Sequence, residues 1–288
     1  MNNKMKTISI YNEFGSLSRA IIRRPIGSGV LRPINEVQAH YFESDPPSLR
    51  QLPVEHQILA NMLQGFRVSL DFLEETNDGS HNPCFTRDIG FAIGDRFFLS
   101  NIAEDQRKGE ITALRKWLDT MRQPHEIVSD GFIEGGDVLV DEPYVYIGIG
   151  QRTNVKGVVW LSSTLGSSWK VIPIQLEKGV LHLDCVMAII SDSIIIWCPD
   201  LIVSGSEVIE ERFRDRISVT REDVFHMATN VLMINPSNVI VERRHTILRD
   251  QLTRRGISVC SMDWSETKKF GGLFRCAICP LHRDRSMK

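Results

Sequence analysis

One pattern of hydrophobic and polar positions recurs four times along the chain. In each copy, an apolar run rich in β-branched residues is followed by a short polar turn and a second apolar run. The copies are RDIGFAIGDRFFLSN from Arg87, GDVLVDEPYVYIGIG from Gly136, LDCVMAIISDSIIIWC from Leu183 and TNVLMINPSNVIVER from Thr229. Turn residues between β-branched runs are typical of β-hairpins. The pattern therefore predicts four hairpins, whose turns are Gly94-Asp95, Glu142-Pro143, Asp192-Ser193 and Pro236-Ser237.

A helical segment and a short strand are predicted after the hairpins. Residues 105–122 and 243–255 have apolar side chains at helical spacing, and residues 170–174 and 256–260 have the short apolar pattern of strands. The repeating unit is thus predicted to be hairpin, helix and strand. Such an alternation is typical of an α/β fold.

The polar residue that opens each hairpin recurs at a nearly constant interval. These residues are Asp88, Asp137, Asp184 and Asn230, which are 49, 47 and 46 residues apart. A further interval of 46 residues leads to Cys276, which would open a fifth unit completed by the N-terminal run 18–25. A cyclic array of five units would bring three carboxylates, an amide and a thiol to one cavity. The alternative explanation is that polar residues commonly begin hairpins.

Composition and charge narrow the classes of function. Of the 288 residues, 42% are hydrophobic and 24% are charged, as in ordinary globular proteins. The net charge of -2 gives no electrostatic reason to expect nucleic-acid binding. No apolar stretch is long enough for a membrane span, and the N-terminus lacks the apolar core of a signal peptide. We therefore expect a soluble, cytoplasmic protein.

Two of the six cysteines, Cys276 and Cys279, lie three residues apart in GGLFRCAICPL. This spacing allows a core thiol, half of a metal or redox pair, or a nucleophile. A second Cys-x-x-Cys motif and a helical His-x-x-x-His motif are both missing from the sequence, which argues against a zinc site. We expect no metal and no cofactor, reduced cysteines throughout, and a packed thiol at Cys279.

Five motifs resemble, in the same order, those of the guanidino-group-modifying superfamily. They are FTRD (85–88), IEGGDVLV (133–140), QRTN (151–154), LHLDC (181–185) and GGLFRCAICPL (271–281). That superfamily includes arginine deiminases, dimethylarginine dimethylaminohydrolases and amidinotransferases. The resemblance runs from about Arg19 to Leu281. It implies a five-bladed α/β propeller, or pentein, formed by a single catalytic domain over residues 1–288.

The chemistry of a guanidinium explains why such residues are needed. Its central carbon is a poor electrophile, so attack requires carboxylates to hold the cation, an activated nucleophile and an acid for the leaving amine. Cys276 would be the nucleophile, because a bound cation favours its thiolate. His182 would protonate the leaving amine and then activate water. Asp88 and Asp184 would hold the guanidinium through charge-assisted hydrogen bonds, and a thiouronium-type intermediate would form on Cys276.

Other assignments come from the resemblance. Glu134 is implied to hold His182 and the substrate. Asp137 is expected to order its own turn and to hydrogen-bond backbone or substrate. Three more residues resemble substrate-binding positions of the superfamily: Arg152 and Arg107, which would anchor a substrate carboxylate, and Asn82, although HNPC departs from the commoner spacing.

The resemblance leaves the reaction open. Asp184 stands where dimethylarginine hydrolases commonly have lysine, which favours arginine deiminases, arginine dihydrolases or amidinotransferases. The helical insertion of bacterial-type deiminases is missing, however. We expect hydrolysis of L-arginine or a close analogue, with transfer of the amidino group to an amine as the alternative. A third reading is an inactive guanidine-binding protein. The expected partner is a small guanidino substrate, not a nucleic acid or membrane, and a homodimer is the candidate assembly.

Overall fold

The structure, a computed structural model, describes residues 8–25, 32–74 and 84–285. The strands in these ranges are β1 (Leu17–Ile22), β2 (Ser69–Phe72), β3 (Gly90–Ile93), β4 (Arg96–Leu99), β5 (Glu126–Ile127), β6 (Val138–Asp141), β7 (Tyr144–Ile149), β8 (Lys170–Leu176), β9 (Met187–Ile189), β10 (Ile194–Trp197), β11 (Ile202–Ser204), β12 (Asp215–Ser218), β13 (Leu232–Asn235), β14 (Asn238–Glu242), β15 (Ser258–Met262) and β16 (Cys279–Arg283). The helices are α1 (Glu36–Ser44), α2 (Leu52–Gly65), α3 (Thr86–Ile89), α4 (Ile111–Thr120), α5 (Val155–Leu165), α6 (Ser206–Arg212), α7 (Arg221–Phe225) and α8 (Thr246–Arg254).

These strands form five separate mixed sheets with one common plan. The orders are β16-β1-β2, β3-β4-β5, β6-β7-β8-β11, β9-β10-β12 and β13-β14-β15. Each sheet contains an antiparallel pair, and a further strand is added in parallel to it. Parallel pairing requires a crossover, and a helix lies in every one of these crossovers. The predicted α/β fold, the four hairpins and the hairpin, helix and strand unit are confirmed.

The sheet that follows Cys276 uses strands from both ends of the chain. Strand β16 pairs antiparallel with β1, so that Cys279 lies opposite Ile21, and β1 pairs in parallel with β2. The expectation that the N-terminal run completes this sheet is confirmed. The segment before β1 also bridges neighbouring sheets, because Ile10 pairs with Gly94 and Asn12 pairs with Asp141.

Apolar side chains fill the space between the sheets and helices. Strands β3 and β6 are buried along their whole length, which explains why their apolar runs are continuous and not alternating. One hydrophobic cluster joins residues of β9 and β10 to helix α8, and another joins β3 and β4 to α4 and α5. Among the described helices, not one has the length and apolar character needed to cross a bilayer.

The five residues that open the hairpins lie in short turns just before the first strand of each pair. Asp88 is in α3, Asp137 in the 3-10 turn Gly135–Asp137, and Asp184 in the 3-10 turn Leu183–Cys185. Asn230 and Cys276 precede β13 and β16. All five side chains are buried. The repeated sheet plan therefore places these polar groups at the beginning of the first strand of each pair.

Candidate active site

The turn that carries Cys276 is held by Asn230. The Asn230 side-chain amide donates a hydrogen bond of 3.0 Å to Cys276 Sγ. Its carbonyl oxygen accepts from the backbone N–H of Leu273 at 3.2 Å and from that of Cys276 at 3.4 Å. Gly272 is required here, because a Cβ at this position would lie 2.8 Å from the Phe85 ring. One amide thus fixes both the turn and the thiol.

The Cys276 thiol is in its protonated form at neutral pH. Its Sγ is 3.9 Å from Asp184 Oδ2. Burial raises the pKa of Cys276 well above its ordinary value, and the negative charges of Asp184 and Asp88 raise it further. The hydrogen bond from Asn230 lowers this pKa only in part. A positive charge must therefore approach before the thiolate becomes abundant.

His182 is charged in the same site. Its Nε2 lies 2.8 Å from Glu134 Oε2, and its Nδ1 lies 3.8 Å from Asp88 Oδ1. Burial lowers the pKa of His182, but Asp88, Asp137 and Glu134 outweigh burial and raise the pKa to about 9. The imidazole is consequently a proton donor at neutral pH.

The two glycines after Glu134 allow this close packing. A Cβ on Gly136 would lie 2.8 Å from both Asp88 Oδ1 and His182 Cγ. A Cβ on Gly135 would lie 2.1 Å from the carbonyl oxygen of Arg87. Only glycine lets the backbone approach these groups so closely, which explains the Gly-Gly step in the EGGD motif.

The two carboxylates predicted to hold a guanidinium each already accept a hydrogen bond from an arginine. Arg107 Nη1 donates to Asp88 Oδ2 at 2.8 Å, and Arg275 Nη1 donates to Asp184 Oδ2 at 2.6 Å. Burial acts to raise the pKa of Asp88, but His182 and Arg107 outweigh it and hold the pKa below its ordinary value. Asp88 Oδ1 has no hydrogen-bond partner among the described residues. This oxygen is the acceptor that faces His182.

Asp137 connects neighbouring units. Its Oδ1 accepts from the backbone N–H of Leu183 at 2.8 Å. Burial raises the pKa of Asp137 to about 7, although His182 and Thr153 act in the opposite direction. The predicted hydrogen bond between Asp137 and backbone is therefore present, and it joins the turns that precede β6 and β9.

The two predicted carboxylate anchors differ in their contacts. Arg107 donates to Glu110 at 2.8 Å in addition to Asp88, so its guanidinium lies inside a buried ion-pair cluster. Arg152 donates to the carbonyl of Ile34 at 3.2 Å. Its Nη1 has no hydrogen-bond partner within the described ranges, although Glu134 Oε1 is 3.7 Å away. Asn82 lies outside the described residues.

Cys279 is buried in the sheet and not paired with Cys276. Its Sγ donates to the carbonyl of Gly90 at 3.2 Å, and burial raises its pKa to about 12. All six cysteines are free. The Cys-x-x-Cys spacing therefore places one thiol at the site and the other in strand β16.

Sequence reasoning missed a second charged cluster next to Cys276. Glu13 Oε2 is 3.1 Å from Arg275 Nη2, and Glu13 Oε1 is 3.2 Å from Arg87 Nη2. Burial acts to raise the pKa of Glu13, but Arg275, Arg87 and Arg283 lower it to about 2. The basic residue before Cys276 was a visible signal. Glu13 had none, because its partners are far away in the chain.

A metal ion is the other cation that such acidic groups attract. Ligand atoms of Asp88, Glu134 and His182 lie within 4.8 Å of one another, close enough to hold an ion. Arg107 Nη1, however, already lies 2.8 Å from Asp88 and 3.6 Å from Glu134. The donor set is thus organised around guanidinium groups of the protein itself.

Comparisons with known proteins identify the family of this chain. The family described as N,N dimethylarginine dimethylhydrolase, eukaryotic, matches residues 32–283. The uncharacterized protein YkgA of Bacillus subtilis is 34% identical over 272 residues, which are 94% of this chain and 94% of that protein. The N(G),N(G)-dimethylarginine dimethylaminohydrolase of Mycobacterium tuberculosis is 25% identical over 217 residues, 74% of this chain and 70% of that protein.

Solved structures show the same fold. The amidinotransferase SxtG of Microseira wollei superposes with a TM-score of 0.83 at 17% identity, covering 98% of each chain. The N-terminal domain of the cyanobacterial arginine dihydrolase ArgZ superposes with a TM-score of 0.82 at 21% identity, covering 92% of this chain and 98% of that one. The resemblance seen in the motifs is confirmed. The chain belongs to the dimethylarginine dimethylhydrolase family and, with it, to the guanidino-modifying superfamily of hydrolases and amidinotransferases.

Proposed function

We propose that this enzyme hydrolyses the guanidino carbon of L-arginine or a close analogue through a covalent amidino adduct on Cys276. The observation that carries the proposal is the meeting of a buried thiol, a charged imidazole and two carboxylates. Cys276 Sγ lies 3.9 Å from Asp184, and His182 lies 2.8 Å from Glu134 and 3.8 Å from Asp88. These groups match the nucleophile, acid and cation-binding roles that the reaction needs.

Substrate binding comes first. The guanidinium donates to Asp88 Oδ1 and to the Asp184 carboxylate, and its positive charge stabilises the Cys276 thiolate. The thiol proton leaves to solvent in this step. Binding and activation are thereby coupled, so that the thiolate is abundant only when a cation is in place.

In the first half of the reaction, the thiolate attacks the guanidino carbon. A C–S bond forms, and the C–N bond to the leaving amine breaks. His182 gives its proton to that amine, and Glu134 holds the imidazole by the bond to Nε2. The products are the free amine and a thiouronium on Cys276.

In the second half, water replaces the sulfur. The neutral His182 takes a proton from the attacking water, which returns the imidazole to its charged form. The C–S bond breaks as the hydroxyl group of the adduct becomes a carbonyl and loses its proton to solvent, and the released thiolate takes up a proton. The arginine cation and water thus give citrulline and ammonium, and a second hydrolysis would convert citrulline and water to ornithine, carbon dioxide and ammonia.

Assignments for the remaining residues follow from their contacts. Arg152 is proposed to anchor the substrate carboxylate, because its Nη1 has no hydrogen-bond partner within the described ranges. Arg107 is proposed to act on the substrate through Asp88, which it holds at 2.8 Å. Asp137 is proposed to assist binding by fixing the backbone of Leu183 beside His182. Asn82 stays a predicted substrate contact.

Relatives support an arginine-like substrate. The arginine deiminase of Rhodococcus erythropolis is 25% identical over 70% of this chain. ArgZ, which shares the fold, is described as an arginine dihydrolase and was solved as a cysteine-to-serine variant bound to substrate. The match to the dimethylarginine dimethylhydrolase family makes N-methylated arginine the first analogue to test.

We also propose how the five sheets are arranged. Five sheets of one plan, one of which joins both ends of the chain, would be the blades of a five-bladed α/β propeller formed by a single domain. Hairpin ends would then face one axis. This arrangement would account for the contacts among Asp88, Asp184, Asn230 and Cys276.

Transfer of the amidino group to an amine is the second candidate function. The inosamine-phosphate amidinotransferase 1 of Streptomyces glaucescens aligns over 99% of both chains at 23% identity. The same adduct would form on Cys276, and an amine would attack it in place of water. Exclusion of water from the adduct decides between the two outcomes.

Mass spectrometry tests both candidates. The protein is incubated with L-arginine, an N-methylated arginine and agmatine, with and without glycine, and small products and Cys276 adducts are measured. Citrulline or ornithine without an acceptor is the expected result, and Cys276→Ala is the control. If product forms only when glycine is present, amidino transfer replaces hydrolysis as the proposed function. Neither turnover nor an adduct with any guanidine would refute the proposed function.

A further inference from the structure

Arg275 makes contacts that its position in the motif does not explain. This residue directly precedes Cys276 and is 6% exposed. Its Nη1 donates to Asp184 Oδ2 at 2.6 Å, and its Nη2 lies 3.1 Å from Glu13 Oε2. It also donates to the carbonyl of Val138 at 3.3 Å. The guanidinium therefore spans two carboxylates from distant parts of the chain.

The position of Asp184 matters because the same Oδ2 oxygen contacts both Arg275 and the nucleophile. Cys276 Sγ is 3.9 Å from this atom. A planar guanidinium with two fixed N–H directions can define the orientation of a carboxylate, whereas an ammonium is a point charge on a flexible stem. Glu13 contacts the other terminal nitrogen, Nη2, of the Arg275 guanidinium fork. The arginine thus has no freedom to rotate without breaking one of two buried ion pairs.

We infer that Arg275 is a positioning residue whose fork, anchored by Glu13, holds the Asp184 carboxylate beside Cys276 for binding of the substrate cation. The role of Asp184 in this inference rests on the proposed function. Arg275 itself does not touch the substrate. It acts through Asp184, and its charge also opposes the rise in the pKa of that carboxyl group that burial causes.

Electrostatics agree with the geometry. Burial raises the pKa of Asp184, and Arg275 is the strongest group that opposes this rise. The charged and titratable groups around Asp184 are Arg275, Arg87, His182, Asp88, Cys185 and Cys276. Loss of the arginine would therefore favour the neutral acid, which binds a cation poorly. Affinity for a guanidinium should then recover as the pH is raised.

Arg283 offers a matched control. It is as deeply buried, carries the same charge and also lowers the pKa of Glu13. Its Nη1 donates to the carbonyl of Gly15 at 2.7 Å, and within the described part of the chain no contact joins it to Asp184. Arg283→Met therefore removes a buried charge from the same cluster without removing the proposed function of Arg275.

The test combines binding and crystallography in a Cys276→Ala background, which prevents turnover. The dissociation constant of L-arginine, an N-methylated arginine and agmatine is measured by calorimetry at several pH values for the parent, Arg275→Met, Arg275→Lys and Arg283→Met. Crystal structures of Arg275→Met and Arg283→Met are solved with Cys276 present. Thermal unfolding of each variant reports whether it folds. If Arg275→Met fails to fold, Arg275→Lys, which keeps the positive charge, takes its place in the test.

We expect Arg275→Met to weaken guanidine binding by ~10- to 100-fold at neutral pH, the size of a lost charge-assisted hydrogen bond. Part of the lost affinity should return at higher pH. Arg275→Lys should recover only part of the affinity, because one ammonium cannot hold both carboxylates. Arg283→Met should change affinity less than ~3-fold. The Asp184 carboxylate should move away from position 276 in the Arg275 variant alone.

Two results would overturn the inference. One is an unmoved Asp184 carboxylate in the Arg275→Met crystal structure. The other is equal loss of affinity in the Arg275 and Arg283 variants, which would indicate general damage to the charged cluster. If the Cys276→Ala parent binds none of the guanidines, the proposed function fails, while the crystal structures still decide whether Arg275 positions Asp184.

Discussion

Two buried clusters meet at the site, and both keep a proton, with opposite consequences for their reactivity. The His182 side consists of His182, Glu134, Asp88, Arg107 and Glu110, and there carboxylates raise the pKa of the imidazole to about 9. The Cys276 side consists of Cys276, Asn230, Asp184, Arg275 and Glu13, and there burial and Asp184 raise the pKa of the thiol. Before substrate binds, the His182 side therefore keeps the proton that we propose for the leaving group, and the Cys276 side keeps the proposed nucleophile as a thiol.

The difference shows how one acidic site can serve two purposes. Carboxylates favour a cation, so they stabilise the charged imidazole and oppose the thiolate. A guanidinium bound between the clusters would oppose the second effect, because its positive charge favours the thiolate. The nucleophile is therefore expected to be active when a cation is bound and protected from other electrophiles when it is not.

The largest effect is expected from removing the thiol. Cys276→Ala should abolish turnover and leave thermal unfolding nearly unchanged, because a small side chain is lost from a turn held by Asn230. Cys276→Ser should keep less than about a thousandth of the activity, ~4 kcal/mol in the barrier. Turnover is measured by product formation. Retained activity in either variant would remove Cys276 from the mechanism.

The proton held by His182 should make the free energy of unfolding depend on pH. The pKa of His182 is raised from 6.5 to about 9 by folding, so its stabilisation is complete below pH 6.5 and is lost as the pH rises through 9. The full change is ~3 kcal/mol. Urea unfolding of wild type should show this decline between pH 6.5 and 9.5. His182→Gln should flatten it, and an unchanged slope would contradict a charged His182.

The state of the Cys276 side can be read from alkylation. Iodoacetamide reacts with the thiolate, so the rate at Cys276 should rise about tenfold per pH unit and show no plateau below pH 9. Peptide mass spectrometry assigns the modified cysteine, with Cys276→Ala as control. A plateau near neutral pH would mean that the thiolate already exists without substrate, and the contrast between the two sides would be lost.

The smallest effect is expected from chelation. Arg107 already places a positive charge beside Asp88 and Glu134, so treatment with EDTA should leave activity unchanged. Metal content is measured in parallel with turnover. Loss of activity that zinc restores would show that Asp88, Glu134 and His182 hold an ion.

Repetition made much of the fold predictable. Hairpin turns and the interval between Asp88, Asp137, Asp184, Asn230 and Cys276 are local or periodic features, and the structure has the five sheets they indicated. Asn230 was recognised only as a member of this series. Its hydrogen bond to Cys276 was not foreseen. A spacing of 46 residues indicates that two residues occupy equivalent positions in the repeat, but it does not say how far apart they lie in space.

The charged clusters could not be predicted in the same way. Glu13 meets Arg275 across nearly the whole length of the chain, and no periodic pattern connects them. Arg107 was predicted as an anchor for the substrate, and its bonds to Asp88 and Glu110 could be seen only in three dimensions. Sequence patterns identified groups that could be charged, and packing decided how each charge is used.

The pairing of β1 with β16 has a consequence for synthesis on the ribosome. Strand β1 leaves the ribosome early and β16 late, yet the sheet next to Cys276 needs both. Glu13, in the segment before β1, likewise waits for Arg275. During translation the four hairpins can form in order, but the thiol reaches its place last. A growing chain is therefore expected to carry its carboxylates and imidazole for some time before it acquires the thiol that we propose as the nucleophile.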